Sequence, residues 1–470
     1  MKIWRPFFIA FVLISMYGCS DRAEPLEGDS LTILQGVTVI DGTGAEPWED
    51  AVIVIEGDRI IAVGDVGDYR YPPDATIIDL QGHYALPGFM DLHAHVRDNM
   101  MRTFLAFGIT TIRNPSAGPR NTSSGPSRGV DLREQVKAGE VLGPRVFTAG
   151  ETLNTPAFSS GQGIEFETEA DLRAEIQTEI ASGVDYVKLY WGIDPQMLSV
   201  AVEEAHSRGV KVIGHLKRTS WTEAAVRGIN SLVHSCSEGP IWELLEEEER
   251  DPFHSNDWGE YLRSWARTAP QVNLDGSRMA ALIDALLRND VEVNPTLVQA
   301  EALYWADDSE HLELQQPSFA PEGFASTWSE NWRRSAEFMR GLELTDDEWQ
   351  ELKEGFRMCG QMIRTFHERG VLLTTGSDVG GWLTPGVSLH RELELLVETG
   401  IPALDVIKIA THNGARALGI LDEIGTLEPG KIADIVVLQR NPVDDIRNTQ
   451  TIVSVFSAGR EYSPESLLKD

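Results

Sequence analysis

The hydrophobic and polar positions along this chain change rhythm twice. Short β-branched runs at 31–40, 51–55, 59–63 and 76–80 are broken by turn formers such as Asp41-Gly42-Thr43-Gly44 and Glu56-Gly57-Asp58. The same character returns at 432–438 and 452–456. Between these ends, apolar runs at 89–95, 110–113, 145–149, 186–190, 211–215, 229–234, 291–296 and 371–377 alternate with helical stretches. That alternation is the pattern of repeated βαβ units, and eight of them predict a (β/α)8 barrel. The fold class is therefore α/β. A TIM-like barrel is expected over 87–423, with a small β-sandwich domain formed by the N- and C-terminal segments 31–86 and 424–462. Segments 237–290 and 298–356 are longer than a crossover requires. They carry many of the tryptophans, Trp242, Trp258, Trp305 and Trp328 among them, and are read as helical covers over the barrel mouth. The acidic run 246–249 is read as a solvated helix face.

The N-terminus follows another pattern. Lys2 and Arg5 precede an apolar run from Phe7 to Met16, too short to span a bilayer comfortably. Met16-Tyr17-Gly18-Cys19 follows, then polar residues. This resembles a bacterial lipoprotein lipobox, with 1–19 a signal peptide, Cys19 the lipidated residue and 20–30 a tether. It implies a lipid-anchored protein of the cell envelope, at the outer membrane facing the periplasm or the surface.

Composition narrows the partners. The 470 residues are 42% hydrophobic and 24% charged, which fits a globular chain with a large core. The formal charge of -33, from 73 acidic and 40 basic residues, repels phosphate backbones, and no basic stripe offsets it. Nucleic acid is therefore excluded as a partner, and a small-molecule substrate is expected. Nothing in the pattern sets an oligomeric state. Apart from Cys19, Cys236 and Cys359 are the only cysteines, and they are read as two free buried thiols.

In a barrel of this kind functional groups collect at the C-terminal ends of the strands. Chemically useful residues fall there: His93 and His95 at the first strand, Lys188 at the fourth, His215 at the fifth, His234 at the sixth and Asp378 after the eighth. His93 and His95, two apart, share a strand face and can grip one metal. A lysine pointing into a barrel is costly as an isolated charge, and metal proximity favours its neutral amine. That amine can take up carbon dioxide and become an anionic carbamate able to bridge two metals. His390 is a candidate for the rim of the site or a helix surface, and Cys236 is placed near the site or in the core.

The segment Leu86-Pro87-Gly88-Phe89-Met90-Asp91-Leu92-His93-Ala94-His95 resembles the first-strand motif of the amidohydrolase superfamily. The segment Gly425-Thr426-Leu427-Glu428-Pro429-Gly430-Lys431-Ile432-Ala433-Asp434-Ile435-Val436 resembles that superfamily's C-terminal return to the small domain. The likeness extends over about 31–462 and is nearest to the imidazolonepropionase-like and Xaa-Pro-dipeptidase-like branch. It implies two divalent metal ions, zinc foremost. One would be held by His93, His95, Asp378 and N6-carboxylysine at Lys188, the other by Lys188, His215 and His234. It further implies attack on a carbonyl by a bridging hydroxide, with Asp378 as the catalytic general base and then acid. Asn114 stands where relatives often carry an aspartate.

The implied activity is hydrolysis of a C–N bond, in an amide or peptide. A dipeptide or N-acyl amino acid is the expected substrate, its carboxylate met by Tyr190, Arg113 and Arg218, with Arg97 and Lys217 nearby. Three alternatives stand beside it: a cyclic-amide hydrolase or deaminase, a lactonase or phosphotriesterase, and a non-catalytic surface-binding lipoprotein. His215 is followed by Leu216-Lys217-Arg218-Thr219, without the carboxylate that deaminases of this fold place there.

Overall fold

A computed structural model gives the fold. It describes residues 23–28, 30–116, 128–156, 163–237, 239–250, 253, 257–308, 311, 333, 336–380 and 383–469. Cys19 and the expected signal peptide lie outside these residues, as do Trp328 and His254.

The chain first lays down β1 (Thr32–Val39), β2 (Trp48–Glu56), β3 (Arg59–Asp65), β4 (Thr76–Asp79) and β5 (Tyr84–Pro87). The eight barrel strands follow: β6 (Phe89–Asp91), β7 (Ile109–Asn114), β8 (Arg145–Asn154), β9 (Tyr186–Leu189), β10 (Lys211–Gly214), β11 (Ser231–Val233), β12 (Glu292–Asn294) and β13 (Leu372–Leu373). The chain then returns through β14 (Ile435–Leu438), β15 (Ile452–Ser457) and β16 (Arg460–Tyr462). The N- and C-terminal strands form one sheet in the order β16-β15-β14-β5-β1-β2-β3, with β4 beside β1. Its inner face encloses Leu34, Val37, Ile53, Ile435, Val437 and Phe456. The expected small domain of two chain ends is thus built around the antiparallel pairing of β5 with β14.

All eight expected barrel strands are present, parallel and in sequence order. The intervening helices include α1 (Met101–Ala106), α2 (Arg128–Lys137), α3 (Glu169–Ala181), α4 (Pro195–His206) and α5 (Trp221–Val226). Local sequence starts several of them. Thr168, Asp194 and Ser220 each accept a hydrogen bond from the backbone N–H three residues on, and Pro195 takes the first helical turn of α4. Alternation along β9 and β10 sorts the strand residues. Val187, Leu189 and Val212 join the layer containing Leu172, Ile176 and Leu198 of the helices. Tyr186 and Ile213 join a separate interior cluster.

Passage from small domain to barrel occurs within three residues. Gly88 separates β5 from β6, and its N–H donates to Asp434 O at 2.9 Å. A Cβ there would lie 2.1 Å from Thr110 Oγ1, so the tight handover requires glycine. The barrel closes where residues after β13 meet those after β6. Leu92 N donates to Thr375 O, Asp378 N to His93 O and His95 N to Val379 O, at 2.7 to 2.9 Å.

The long inserts form α6 (Ile241–Leu244), α7 (Trp258–Thr268) and α8 (Ser277–Arg288) before β12, then α9 (Leu297–Tyr304) and α10 (Asp346–Glu368) before β13. The acidic run 246–249 is exposed, as its composition suggested. After β13 comes α11 (Val387–Glu398). Among the described residues, no helix is long and apolar enough to cross a membrane.

The two thiols expected to be free are joined. Cys236 and Cys359 form a buried disulfide, 5.7 Å between Cα atoms, that ties the chain beyond β11 to α10. Their separation of 123 residues hid the pair from sequence reasoning. A cross-link over so long a segment restricts the unfolded chain strongly. Replacing both cysteines with serine is expected to lower stability by roughly 3–5 kcal/mol in the chain-entropy description, read by denaturant unfolding with and without reductant. Unchanged unfolding of wild type under reductant would contradict this.

Candidate active site

The groups picked out by strand ends converge at one end of the barrel. His93 Nε2 lies 3.3 Å and His95 Nε2 3.4 Å from Asp378 Oδ1. The ligand atoms of these three residues all fall within 4.8 Å of one another, close enough to share one cation. His93 continues the group inward: its ring centroid is 4.5 Å from that of His234, which is 4.2 Å from that of His215. Lys188 is almost fully buried, and its charge acts on both His93 and His234. The donor set of imidazoles and a carboxylate fits divalent metals of the zinc type.

Electrostatics prepare the ligands. Burial, aided by Lys188, pushes His93 down to about 3, and burial with His215 nearby holds His234 well below the usual imidazole range. Both shifts favour the neutral ring, the form that binds metal. Burial alone would raise the Asp378 carboxyl, but His234, His93 and His95 outweigh it and keep Asp378 ionised.

Neighbouring groups fix the orientation of these rings. Thr296 Oγ1 donates its hydrogen to Pro295 O at 2.8 Å and lies 2.8 Å from His234 Nδ1. A hydroxyl engaged with Pro295 O in this way accepts from His234 Nδ1–H and leaves the lone pair of that imidazole on Nε2. On the other side, Trp191 Nε1 donates to His215 Nε2 at 3.0 Å. Asp91 accepts from Ser377 N at 3.0 Å and His93 N at 3.3 Å, joining the first and last strands beneath the ligands. Burial raises the Asp91 carboxyl to about 7.

Backbone geometry marks the same spots. His234, Thr296 and Asp378 all have positive φ, of 65°, 48° and 54°. Such a conformation in a residue with a side chain costs of order 1–3 kcal/mol and persists where the surroundings enforce it. Space is equally restricted below His93. A Cβ on Gly376 would come within 2.4 Å of Asn294 Oδ1 and 2.6 Å of His93 Cβ.

Of the residues expected to meet a substrate carboxylate, Tyr190 lies directly against a site histidine. Its ring stands edge-on to His215, centroids 4.8 Å apart, and is half-buried. Arg113 must be reassigned. Its side chain is fully buried, donating from Nη1 and Nη2 to Glu292 at 2.7 and 2.9 Å and from Nε to Leu92 O at 2.8 Å. Its guanidinium lies 5.3 Å from the ring centre of Tyr186, two residues before Lys188 on β9. Arg113 therefore belongs to a polar layer of the barrel interior below the ligands, and its charge is already matched there. Arg218 is exposed and lines a cavity of about 380 Å3 with Thr222, Glu243, Arg250 and Arg278, none of them a metal-ligand candidate. Lys217 is buried against the rings of Trp191 and Tyr261. His390 is neither at the mouth nor on a surface. It is fully buried, with Nδ1 2.9 Å from Thr449 Oγ1 and Nε2 3.0 Å from Phe107 O. Asn114 is likewise internal, donating to Thr148 Oγ1.

Sequence reasoning assigned no role to Asp91, Trp191, Thr296 or Glu292. Asp91 had a signal, because it shares strand parity with His93 and His95. Trp191 directly follows Tyr190, an aromatic pair just past the fourth-strand lysine. Thr296 and Glu292 are recognisable only through partners distant in sequence.

Comparison with known proteins places this geometry in context. Residues 360–462 match the Amidohydrolase family. An imidazolonepropionase from Rhizobium rhizogenes is 26% identical over 402 residues, spanning 84% of this chain and 88% of the relative. An ochratoxinase from Aspergillus niger is 23% identical over 476 residues, spanning 92% and 86%. Among solved structures, a Xaa-Pro dipeptidase with methionine bound in its active site matches with a TM-score of 0.65. It is 19% identical and covers 92% of this chain and 100% of that one. The A. niger ochratoxinase structure gives a TM-score of 0.65 at 18% identity, covering 93% and 96%. These structural likenesses bear on the fold.

The reassignment of Arg113 can be measured. Arg113→Met leaves Glu292 buried without its partner, and a loss of about 3–5 kcal/mol of stability is expected. Any preference for free-acid over amide substrates should persist in that variant. A stable Arg113→Met enzyme that loses this preference would restore Arg113 to the binding site.

Proposed function

We propose that this chain, an amidohydrolase-superfamily enzyme that hydrolyses C–N bonds, is a metal-dependent peptidase-like amidohydrolase acting on dipeptides or N-acyl amino acids. The observation that carries the reading is the convergence of His93, His95 and Asp378 on one point, extended inward by His234 and His215 with Lys188 buried among them. His93, His95 and Asp378 would hold one divalent cation, His215 and His234 a second, with Lys188 between them as a carbamate. Carbamate formation joins the neutral Lys188 amine to carbon dioxide with release of one proton, and leaves a buried anion with two donor oxygens. When bound, two such cations, zinc foremost, activate water and polarise the carbonyl of the scissile bond.

The chain's own residues supply the rest. Asp378, ionised and beside both His93 and His95, takes the proton of the attacking water and delivers it to the leaving nitrogen. Thr296 holds His234 in one tautomer, and Asp91 with Ser377 keeps the first and last strands in register. Tyr190, half-buried beside His215, is placed to touch the substrate. Similarity to a Xaa-Pro dipeptidase structure supports a peptide-like substrate. Similarity to an imidazolonepropionase favours a second reading, hydrolysis of a cyclic amide, and a panel of both substrate types separates the two.

Lys188→Ala should lose bound metal and activity, and short carboxylic acids that mimic the carbamate should restore part of both. About two equivalents of metal are expected in the wild type after growth with metal and bicarbonate. A fully active enzyme with one equivalent, or an active Lys188→Ala, would overturn the binuclear assignment.

The same reading extends to location. Lys2, Arg5, the apolar run and Cys19 support a lipid-anchored protein of the cell envelope, and the Cys236–Cys359 disulfide suits an oxidising compartment. Cys19→Ala is expected to abolish lipid labelling and release the protein to a soluble fraction. Unchanged membrane fractionation would mean that the apolar segment itself is the anchor.

A further inference from the structure

Beside His215 stands a set of near-parallel aromatic rings. Tyr190 stacks on Trp191, with centroids 5.1 Å apart and planes 11° apart. Trp191 stacks on Trp258 of α7 at 5.6 Å and 7°, and Trp258 on Tyr261 at 5.4 Å and 8°. The arrangement is fixed from several sides. Trp191 Nε1 donates to His215, Phe253 packs edge-on against Tyr261, and the buried Lys217 ammonium lies 5.2 Å from the Trp191 ring centre and 4.3 Å from that of Tyr261.

Burial divides this set. Tyr261, Phe253 and Lys217 are buried and serve as backing, whereas Tyr190, Trp191 and Trp258 are only half-buried. The partly open rings border a site histidine directly, since both Tyr190 and Trp191 meet His215 edge-on at 4.8 and 5.8 Å. A rigid, uncharged aromatic wall at that place suits a flat apolar group, because edge-to-face and offset contacts between rings are rewarded beyond the area they bury. Its rotamers are already held by stacking and cation–π contact, so little ordering is needed on binding.

We propose that Tyr190, Trp191 and Trp258 form the specificity surface of this site and select substrates with an aromatic side chain adjacent to the scissile amide. The inference rests on the hydrolase reading above for its substrate class. Trp191 has a second part as a positioning residue for His215, so Trp258, one ring further out, is the cleaner probe.

The test uses the metal-loaded full chain and two independent arms. In the first, kcat/KM is compared for Phe-Gly against Ala-Gly and for Gly-Phe against Gly-Ala. A preference of at least about tenfold for phenylalanine on one side of the bond is expected. In Trp258→Leu it should fall below about threefold through KM for the phenylalanine substrate, with metal content unchanged, and Trp258→Phe should restore it. Tyr190→Leu gives a second route if thermal unfolding shows Trp258→Leu to be misfolded. In the second arm, quenching of tryptophan fluorescence measures binding of free phenylalanine and free alanine, which needs no turnover. Phenylalanine is expected to bind at least about tenfold more tightly, and Trp258→Leu to remove the difference. Equal kcat/KM on both sides of the bond, equal binding, or a preference untouched by Trp258→Leu overturns the proposal. If no amide is turned over, the hydrolase reading fails by itself, and the binding arm alone decides the role of the rings.

Discussion

Closure of the barrel's last strand onto its first is the constraint on which the site depends. Neither β6 nor β13 carries a complete ligand set, and His93, His95 and Asp378 meet only because the two chain segments run on past their strands while still hydrogen-bonded. Asp91 reinforces this seam from inside by accepting from the backbones of Ser377 and His93. Gly376 lets the two segments approach to a distance that no side chain would allow. Catalytic geometry here is therefore a property of strand register. A slip of one residue at the seam would exchange the inward and outward faces and disperse the ligands.

A second layer governs charge. The candidate ligand cluster draws imidazoles, a carboxylate and a buried lysine together, a combination that is costly unless each group has a defined partner. Below it, Arg113 and Glu292 form a closed ion pair spanning β7 and β12, so the two charges are matched to each other. The positive-φ residues His234, Thr296 and Asp378 add backbone strain at the ligand level itself. Backbone strain and charge thus meet at the ligand level, above an interior in which Tyr186 packs with Ile213 and Val233.

The sequence disclosed the eight strands and the ligand candidates because both are governed by short-range rules. Apolar runs show where strands lie, and in a barrel the residues just past them face the functional end. His93 and His95 were legible from a spacing of two, and Asp378 from its place after the last run. What it could not disclose depends on partners far along the chain. Arg113 sits close to a strand end and looked available to a substrate, yet Glu292 on a distant strand already neutralises it. Cys236 and Cys359 looked unrelated until α10 crossed the end of β11. Trp191 looked like one more aromatic residue, because its neighbour Trp258 arrives from an insert whose path no periodicity fixes.

The pairing of β5 with β14 has a consequence for how this protein comes into being. Residues 84–87 and 435–438 are hydrogen-bonded neighbours, yet about three quarters of the chain separates them in order of synthesis. During translation β5 emerges with an unsatisfied edge that nothing made before the barrel can cover, and such edges recruit other chains. Contacts of this span also slow folding, because a long loop must close before they reward it. The small sheet therefore cannot be completed until residues 435–438 have been made, so its folding waits on the far side of the barrel.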